Sequence, residues 1–180
     1  MSWFVVFDGA RRIASGDRRD AALALKRCEA GSPLAFDMES GAQVDFDLRG
    51  AEAEIAERYG EPERGRGRPK LGVLAREVTL LPRHWDWLAR QRGGASAALR
   101  RLVDAARAAD QGATEDAAAR EAAYRFLCAL AGDRPRFEGA ARALFAGDLA
   151  SLRALTADWP ADIVEVAFAR LERNKSALSA

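Results

Sequence analysis

Histidine and cysteine are scarce in this chain of 180 residues, which contains one histidine and two cysteines. A site built from several histidines is therefore excluded, and a Ser-His-Asp triad would have to use His84. Because His84 lies early in a predicted helix beside Trp85, we interpret it as a surface or packing residue rather than a general base. Cys28 and Cys128 lack the spacing of a metal site, and we expect two reduced thiols.

Long apolar runs are also missing, since none approaches the ~20 residues that a membrane-spanning helix needs. The N-terminus, MSWFVVFDGARR, has neither the basic start nor the long apolar core of a signal peptide. We therefore expect a cytoplasmic protein. A Walker loop is absent as well, so the sequence offers no phosphate cradle for a nucleotide and no cofactor is expected.

The net charge is only +1, but the charge is unevenly distributed. Residues 1–63 have eight Lys and Arg against thirteen Asp and Glu, whereas residues 64–107 have eleven against three. Residues 108–180 are slightly acidic, with nine against eleven. Clustered cations favour polyanion binding because phosphate contacts release condensed counterions. The basic middle of the chain is therefore the first candidate for a binding region.

The predicted fold class is α+β, with a small N-terminal β-rich unit, a central strand-helix-helix segment and a C-terminal helical bundle. WFVVFDG and RRIASGD form one predicted hairpin across an Asp-Gly turn. A helix follows, with Asp17 or Asp20 as its N-cap. The alternation of Val44, Phe46 and Leu48 with polar residues predicts a half-buried strand in a second hairpin.

Changes in composition and the positions of Gly and Pro residues that break regular structure divide the chain into four segments. Pro and Gly in EPERGRGRPKLG argue against regular structure there, and helical periodicity broken at Gly132, Gly147 and Pro160 predicts three or four short helices near the C-terminus. The predicted segments are a small α+β unit (1–60), a basic Gly/Pro linker (61–72), a ribbon-helix-helix-like segment (73–110) and a helical bundle (111–180).

RGRP at 66–69 has the core pattern of an AT-hook. An extended Arg-Gly-Arg segment is thin enough for a narrow minor groove, where A·T-rich DNA concentrates negative potential. Arg66 and Arg68 would enter that groove, and Arg64 and Lys70 extend the same basic segment. Because the motif is short and frequent in Arg-rich proteins, the alternative is a solvated basic linker.

Residues 76–107 resemble a ribbon-helix-helix DNA-binding motif: a short strand, a helix begun by Pro82, a Gly-containing turn and a longer amphipathic helix. The resemblance implies that strands 76–81 of two chains pair into a ribbon that enters the major groove. It also implies a phosphate at the start of the second helix, where Ser96 is the predicted N-cap. Glu77 departs from the family pattern because it would repel phosphate.

The same residues also have a purely structural interpretation, as a strand and a helical hairpin packed within one globular domain. Trp85 and Trp87 point to different sides of the first helix, so one is expected in the core and the other at the surface or at a contact with another chain. The second helix has an apolar stripe that consists of Leu99, Leu102, Val103 and Ala106.

Carboxylates give a weak case for catalysis or metal binding. Asp37, Asp45 and Asp47 cluster in the second predicted hairpin, and the last two share a strand face that could hold a hard cation. The alternation indicates instead that this face is solvated, so no metal site is expected. An enzyme that uses these carboxylates ranks below the other functional hypotheses.

The whole chain resembles a bacterial family catalogued as domain of unknown function 2239. The resemblance rests on VDFDLRG at 44–50, GRPKLGVLAREVTLLPRHWDWLA at 67–89, GGASAALRRLVDAAR at 93–107 and RALFAGD at 142–148. It implies a bacterial origin and a single-family chain, and it implies no activity.

These observations favour a DNA-binding, regulator-like protein that forms a homodimer and has no catalytic residues. The alternative is a protein-interaction or adaptor module that buries Trp85 or Trp87 against a partner and binds no nucleic acid. The candidate nucleic-acid-binding residues are Arg64, Arg66, Arg68, Lys70, Arg76, Thr79, Ser96, Arg100 and Arg101.

Overall fold

In the computed structural model, the described residues are 3–28, 31–60, 76–110 and 112–178, with side chains described as far as Arg173. The chain divides into two compact units. Unit 1 comprises residues 1–61 and 114–180, and unit 2 comprises residues 62–113. The RGRP segment lies outside the described residues.

The described elements confirm an α+β protein. The strands are β1 (Phe4–Asp8), β2 (Arg11–Gly16), β3 (Leu34–Asp37) and β4 (Ala42–Gln43). The helices are α1 (Arg18–Arg27), α2 (Glu52–Tyr59), α3 (Pro82–Ala89), α4 (Gly94–Asp110), α5 (Ala113–Ala131), α6 (Phe137–Ala146), α7 (Leu149–Leu155) and α8 (Ala161–Leu178). No helix among the described residues is long and apolar enough to cross a bilayer.

The four strands form an antiparallel sheet in the order β2-β1-β3-β4, which confirms both predicted hairpins. Val5 of β1 pairs with Phe36 of β3. Successive side chains of β1 point to opposite faces, and both faces are buried, with Val5 and Phe7 on one and Phe4 and Val6 on the other. The apolar run in WFVVF is continuous because this strand has no solvent face.

α1 lies on the sheet face that presents Phe4 and Val6, where its Ala21 is buried, and it also packs against α2. Asp17 Oδ1 accepts a hydrogen bond from Asp20 N at 2.9 Å, and Asp20 Oδ2 accepts one from Asp17 N at 3.3 Å. This reciprocal capping box shows that Asp17 is the N-cap of the two candidates.

The second hairpin is shorter than predicted, because β4 ends at Gln43 and residues 44–49 form no strand. Asp47 N donates instead to Tyr59 Oη at 2.7 Å, and Arg58 donates to Asp47 O at 2.8 Å. The side chains of Tyr59 and Arg58 in α2 therefore bond to main-chain groups of Asp47 that a neighbouring strand would otherwise satisfy. Apolar side chains of this segment still pack against the sheet.

Helices α5 to α8 form the predicted helical bundle and contribute the rest of the core of unit 1. Phe126 of α5 is fully buried and lies edge-on against Phe7 and Phe36, with ring centroids 5.5 and 5.3 Å apart. The same core extends to Leu144 of α6 and Ile163 of α8. The N-terminal sheet and the C-terminal helices therefore share one core.

Unit 2 contains the hairpin of α3 and α4, which confirms the predicted helix pair. Residues 76–81 form no strand within the single chain, and no other described segment pairs with their backbone, so the ribbon expected between two chains stays a prediction. The N-cap predicted at Ser96 is wrong, because α4 begins at Gly94. Gly93 and Gly94 have φ of +83° and +72°, a left-handed conformation that turns the chain directly into the helix.

Candidate nucleic-acid interface

The basic hairpin, defined here as residues 76–110, is shaped by a proline at its entry and a glycine turn in its middle. Pro82 occupies the first turn of α3, where its missing N–H leaves no bond unmade. The N–H of His84 donates to Leu81 O at 2.8 Å and begins the helical hydrogen bonding. Across the glycine turn, α3 and α4 contact each other.

The basic hairpin buries little of its own apolar surface. Among its residues, Leu88 and Ala98 are the buried side chains. The expectation that one tryptophan lies in the core is wrong, since Trp85 is 41% and Trp87 is 51% exposed. Four further large apolar side chains are exposed to a similar degree, namely Val78, Leu81, Leu102 and Val103. These side chains therefore keep about half of their apolar surface accessible in the described structure.

The basic hairpin contains seven arginines and four acidic residues. Helical spacing favours ion pairs of Asp86 with Arg90 and of Asp104 with Arg107. Neither pair forms, and none of the seven arginines has an ion pair with another described residue. The ion pairs that the described residues do form lie in unit 1, for example between Arg125 and Glu121 at 3.0 Å.

Three of the predicted site residues lie together near the N-terminal end of α4. Arg100 Nε donates to the carbonyl oxygen of Ser96 at 3.2 Å, and Arg101 donates to that of Arg92 at 3.0 Å. Both guanidinium groups therefore fold back towards the start of α4, where unpaired helix N–H groups and the helix dipole also favour an anion.

The remaining predicted site residues lie either in the segment before α3 or outside the described residues. Arg76 and Thr79 are exposed in the segment that precedes α3. The predicted basic arm lies outside the described residues, so its contacts stay a prediction; it comprises Arg64, Arg66, Arg68 and Lys70.

Sequence reasoning did not name four further arginines of the basic hairpin as site residues. They are Arg83, Arg90, Arg92 and Arg107, and each of them is exposed. The excess of cations in residues 64–107 was the signal that could have included them. A charge count cannot show which cations are paired, because pairing depends on side-chain geometry.

Residues 3–171 match the model of a family described as "Uncharacterized protein conserved in bacteria (DUF2239)". The chain belongs to this family. The match confirms the resemblance seen in the sequence, and it includes the basic hairpin as well as most of unit 1. No curated protein and no solved structure matches the chain. DUF2239 membership brings no activity with it, so a function has to be argued from geometry.

Two of the three candidate carboxylates of this DUF2239 protein, Asp37 and Asp47, are engaged within the fold. Asp47 accepts a hydrogen bond from Arg49 Nε at 2.9 Å, which holds the pKa of Asp47 well below its usual range. Arg58 lies 3.9 Å from the same carboxylate, and Asp37 accepts a hydrogen bond from Glu39 N. Among the described residues, no group of three or more His, Cys, Asp or Glu side chains is arranged to hold a metal ion.

Proposed function

We propose that the protein binds nucleic acid through the basic hairpin, as a DNA-binding, regulator-like protein. The observation that supports this proposal is the unpaired state of the seven arginines among the described residues. An arginine that already bonds a carboxylate gains little binding free energy from a phosphate, because it must give up its first partner. An exposed arginine without an ion pair forms a new charge-assisted hydrogen bond with the phosphate, and a counterion condensed on the nucleic acid is released.

The arrangement of α4 suits a phosphate backbone. Ser96, Arg100 and Arg107 lie on one side of the helix at spacings of four and seven residues, and the apolar stripe lies on another side. Phosphate contacts of this kind position a protein on a duplex without reading its sequence. The proposal is therefore for binding with little sequence preference by the hairpin itself.

The proposal rests on the helices and needs no two-stranded ribbon, because residues 76–81 form no strand within the single chain. The arm that contains Arg66 and Arg68 keeps its predicted minor-groove role. Its contribution is measured by binding of the variant Arg66→Ala with Arg68→Ala to A·T-rich and G·C-rich duplexes. A loss restricted to A·T-rich duplexes identifies a minor-groove contact.

A salt titration with a fluorescent duplex tests the hairpin. Each phosphate contact contributes about −0.9 to the slope of log K against log salt, so Arg100→Ala with Arg107→Ala should make the slope shallower by about 1.8. The matched control is Arg125→Ala with Arg142→Ala, which removes the same charge from arginines that are paired with Glu121 and Glu138 in unit 1. Equal slopes for the two double variants, or no binding at ~50 mM salt, contradict the proposal.

The exposed apolar side chains favour a second candidate, a protein-interaction or adaptor module. Trp87 is half exposed beside the arginines, and half-exposed tryptophans are often the residues that bind a partner protein. This candidate replaces the first if the purified protein ignores DNA at low salt and captures a specific protein that the variant Trp87→Ala does not capture.

A further inference from the structure

The indole ring of Trp87 is uncovered, unlike two other indole rings of the chain. The ring of Trp3 lies under the guanidinium group of Arg173, which is 4.8 Å from the ring centroid. Trp159 is buried and stacks on Phe137 with ring centroids 6.0 Å apart. Trp87 has neither a ring contact nor a cation over its ring among the described residues. Half of its surface is therefore accessible to a ligand.

Two arginines lie on the same side of α3 as Trp87. Successive residues of an α-helix are about 100° apart, so Arg83, Trp87 and Arg90 fall within an arc of about 60°. Arg90 is the C-cap, but its φ of −83° and ψ of −7° are helical. Leu88, the buried side chain of α3, points at least about 100° away from all three. Both arginines are exposed, and neither has an ion pair with another described residue.

The chemistry of this side matches a single nucleic-acid strand. A base stacks on an aromatic ring through its flat face, and a duplex hides those faces between neighbouring base pairs. Along the helix axis, Arg83 lies about 6 Å from Trp87 in one direction and Arg90 about 4.5 Å in the other. A base stacked on the indole would therefore have a cation on either side for the flanking phosphates. Asp86, at the edge of this side, leaves a net charge of +1.

We propose that the α3 face, defined as Arg83, Trp87 and Arg90, binds an unpaired segment of DNA, with one base stacked on Trp87. This inference rests on the proposed function and adds the form of DNA that α3 recognises. The arginines of α4 contact phosphates whether or not the strand is paired, whereas stacking on Trp87 requires an unpaired base.

The α3 face is short, so its affinity for DNA is modest. Seven residues of helix rise about 10 Å, which corresponds to roughly two or three nucleotides. We expect a dissociation constant of roughly 1–100 μM for a single strand, in the range of binding without sequence preference.

Fluorescence anisotropy at ~50 mM salt tests the proposal, with labelled oligo(dT) of about 12 nucleotides and a labelled duplex of the same length. Trp87→Ala should weaken binding of oligo(dT) at least about fivefold, because it removes a stacked base contact, and should leave duplex binding unchanged. Trp87→Phe keeps an aromatic ring and should retain most of the binding. Trp85→Ala is the matched control, since Trp85 is also exposed but points between Leu88 and Ala89, away from the arginines.

The salt dependence of oligo(dT) binding tests the two arginines. Each phosphate contact of a single strand contributes about −0.7 to the slope of log K against log salt, so Arg83→Ala with Arg90→Ala should make the slope shallower by about 1.4. Arg125→Ala with Arg142→Ala removes the same charge from unit 1 and should leave the slope unchanged. Circular dichroism verifies that all variants are folded.

The outcomes separate this inference from the proposed function. Equal weakening of oligo(dT) binding by Trp87→Ala and Trp85→Ala overturns the inference, and so does a loss by Trp87→Ala that is equal for strand and duplex. In either case, duplex binding that depends on Arg100 and Arg107 leaves the proposed function in place. Absence of binding to both strand and duplex at ~50 mM salt overturns both. Tighter binding of oligo(U) than of oligo(dT) overturns the choice of DNA as the occupant.

Discussion

Gly41 illustrates how a single residue can depend on the tertiary structure. Its φ is +71°, a conformation that favours glycine, and a Cβ at this position would overlap the main-chain carbonyl of Ala122 in α5. The turn between β3 and β4 therefore lies directly on the backbone of a helix that is 81 residues further along the chain. A turn at ESGAQ is readable from the sequence, but this close approach is not.

We expect Gly41→Ala to destabilise the protein more than Gly9→Ala does. Gly9 also has a positive φ, of +57°, but a Cβ there would meet nothing within 4 Å. Backbone strain should cost about 1–2 kcal/mol at either position, and the overlap at Gly41 should add about 1–3 kcal/mol. Urea denaturation gives both free energies of unfolding. Equal losses would mean that α5 does not approach the turn as described.

Among the elements, α2 is held in place by polar contacts as much as by apolar packing. Ile55 is its buried side chain, while Glu52 accepts two hydrogen bonds from Arg27 of α1. The hydrogen bond from Arg27 lowers the pKa of Glu52, and the hydrogen bond from Arg49 lowers that of Asp47. Both carboxylates lie where α2 meets the rest of unit 1.

These shifts predict that acid weakens the attachment of α2. A carboxylate with a lowered folded pKa contributes stability above its unfolded pKa, near ~4, and loses that contribution as the pH falls. The urea midpoint should therefore fall between pH 7 and pH 3, and Glu52→Gln should reduce that fall. Glu57→Gln is the control, since Glu57 has no ion pair with another described residue. An identical pH profile for both variants would contradict the role of Glu52.

On the scale of unit 1, the two ends of the chain build one core. Residues 1–60 and 111–180 are separate segments in the sequence, yet the sheet and helices α5 to α8 pack side chains into the same cluster. A segment of about 60 residues buries only about 60% of the surface that its unfolded chain exposes, so its stability by itself is marginal. The C-terminal helices cover the face of the sheet that presents Val5, Phe7 and Phe36.

Phe126→Ala should therefore destabilise the sheet together with the helical bundle, by about 3–5 kcal/mol, because it removes a buried ring that contacts two strands. Phe145→Ala, at a ring that is 48% exposed, should have a much smaller effect. Hydrogen exchange measured strand by strand and helix by helix provides the test. Loss of protection in the helices without a matching loss in β1 and β3 would show that the core is not shared.

The sequence by itself determined the local features of this protein. The Asp-Gly hairpin, an N-cap at Asp17 or Asp20, the start of α3 at Pro82 and the α5–α8 helices all follow from signals within a few residues of each element, because turns, caps and periodicity are short-range effects. The family resemblance and the basic character of residues 64–107 also needed nothing beyond the sequence.

Only the tertiary structure decided which surfaces are covered. Residues 76–81 have a β-rich composition but form no strand, since a strand requires a neighbouring backbone that the described chain does not offer. Periodicity located the apolar stripe of α4 but could not tell that Leu102 and Val103 stay exposed. Charge counts located the arginines but not their lack of carboxylate partners. Burial and pairing depend on contacts between residues far apart in the chain, and those contacts exist only after it has folded.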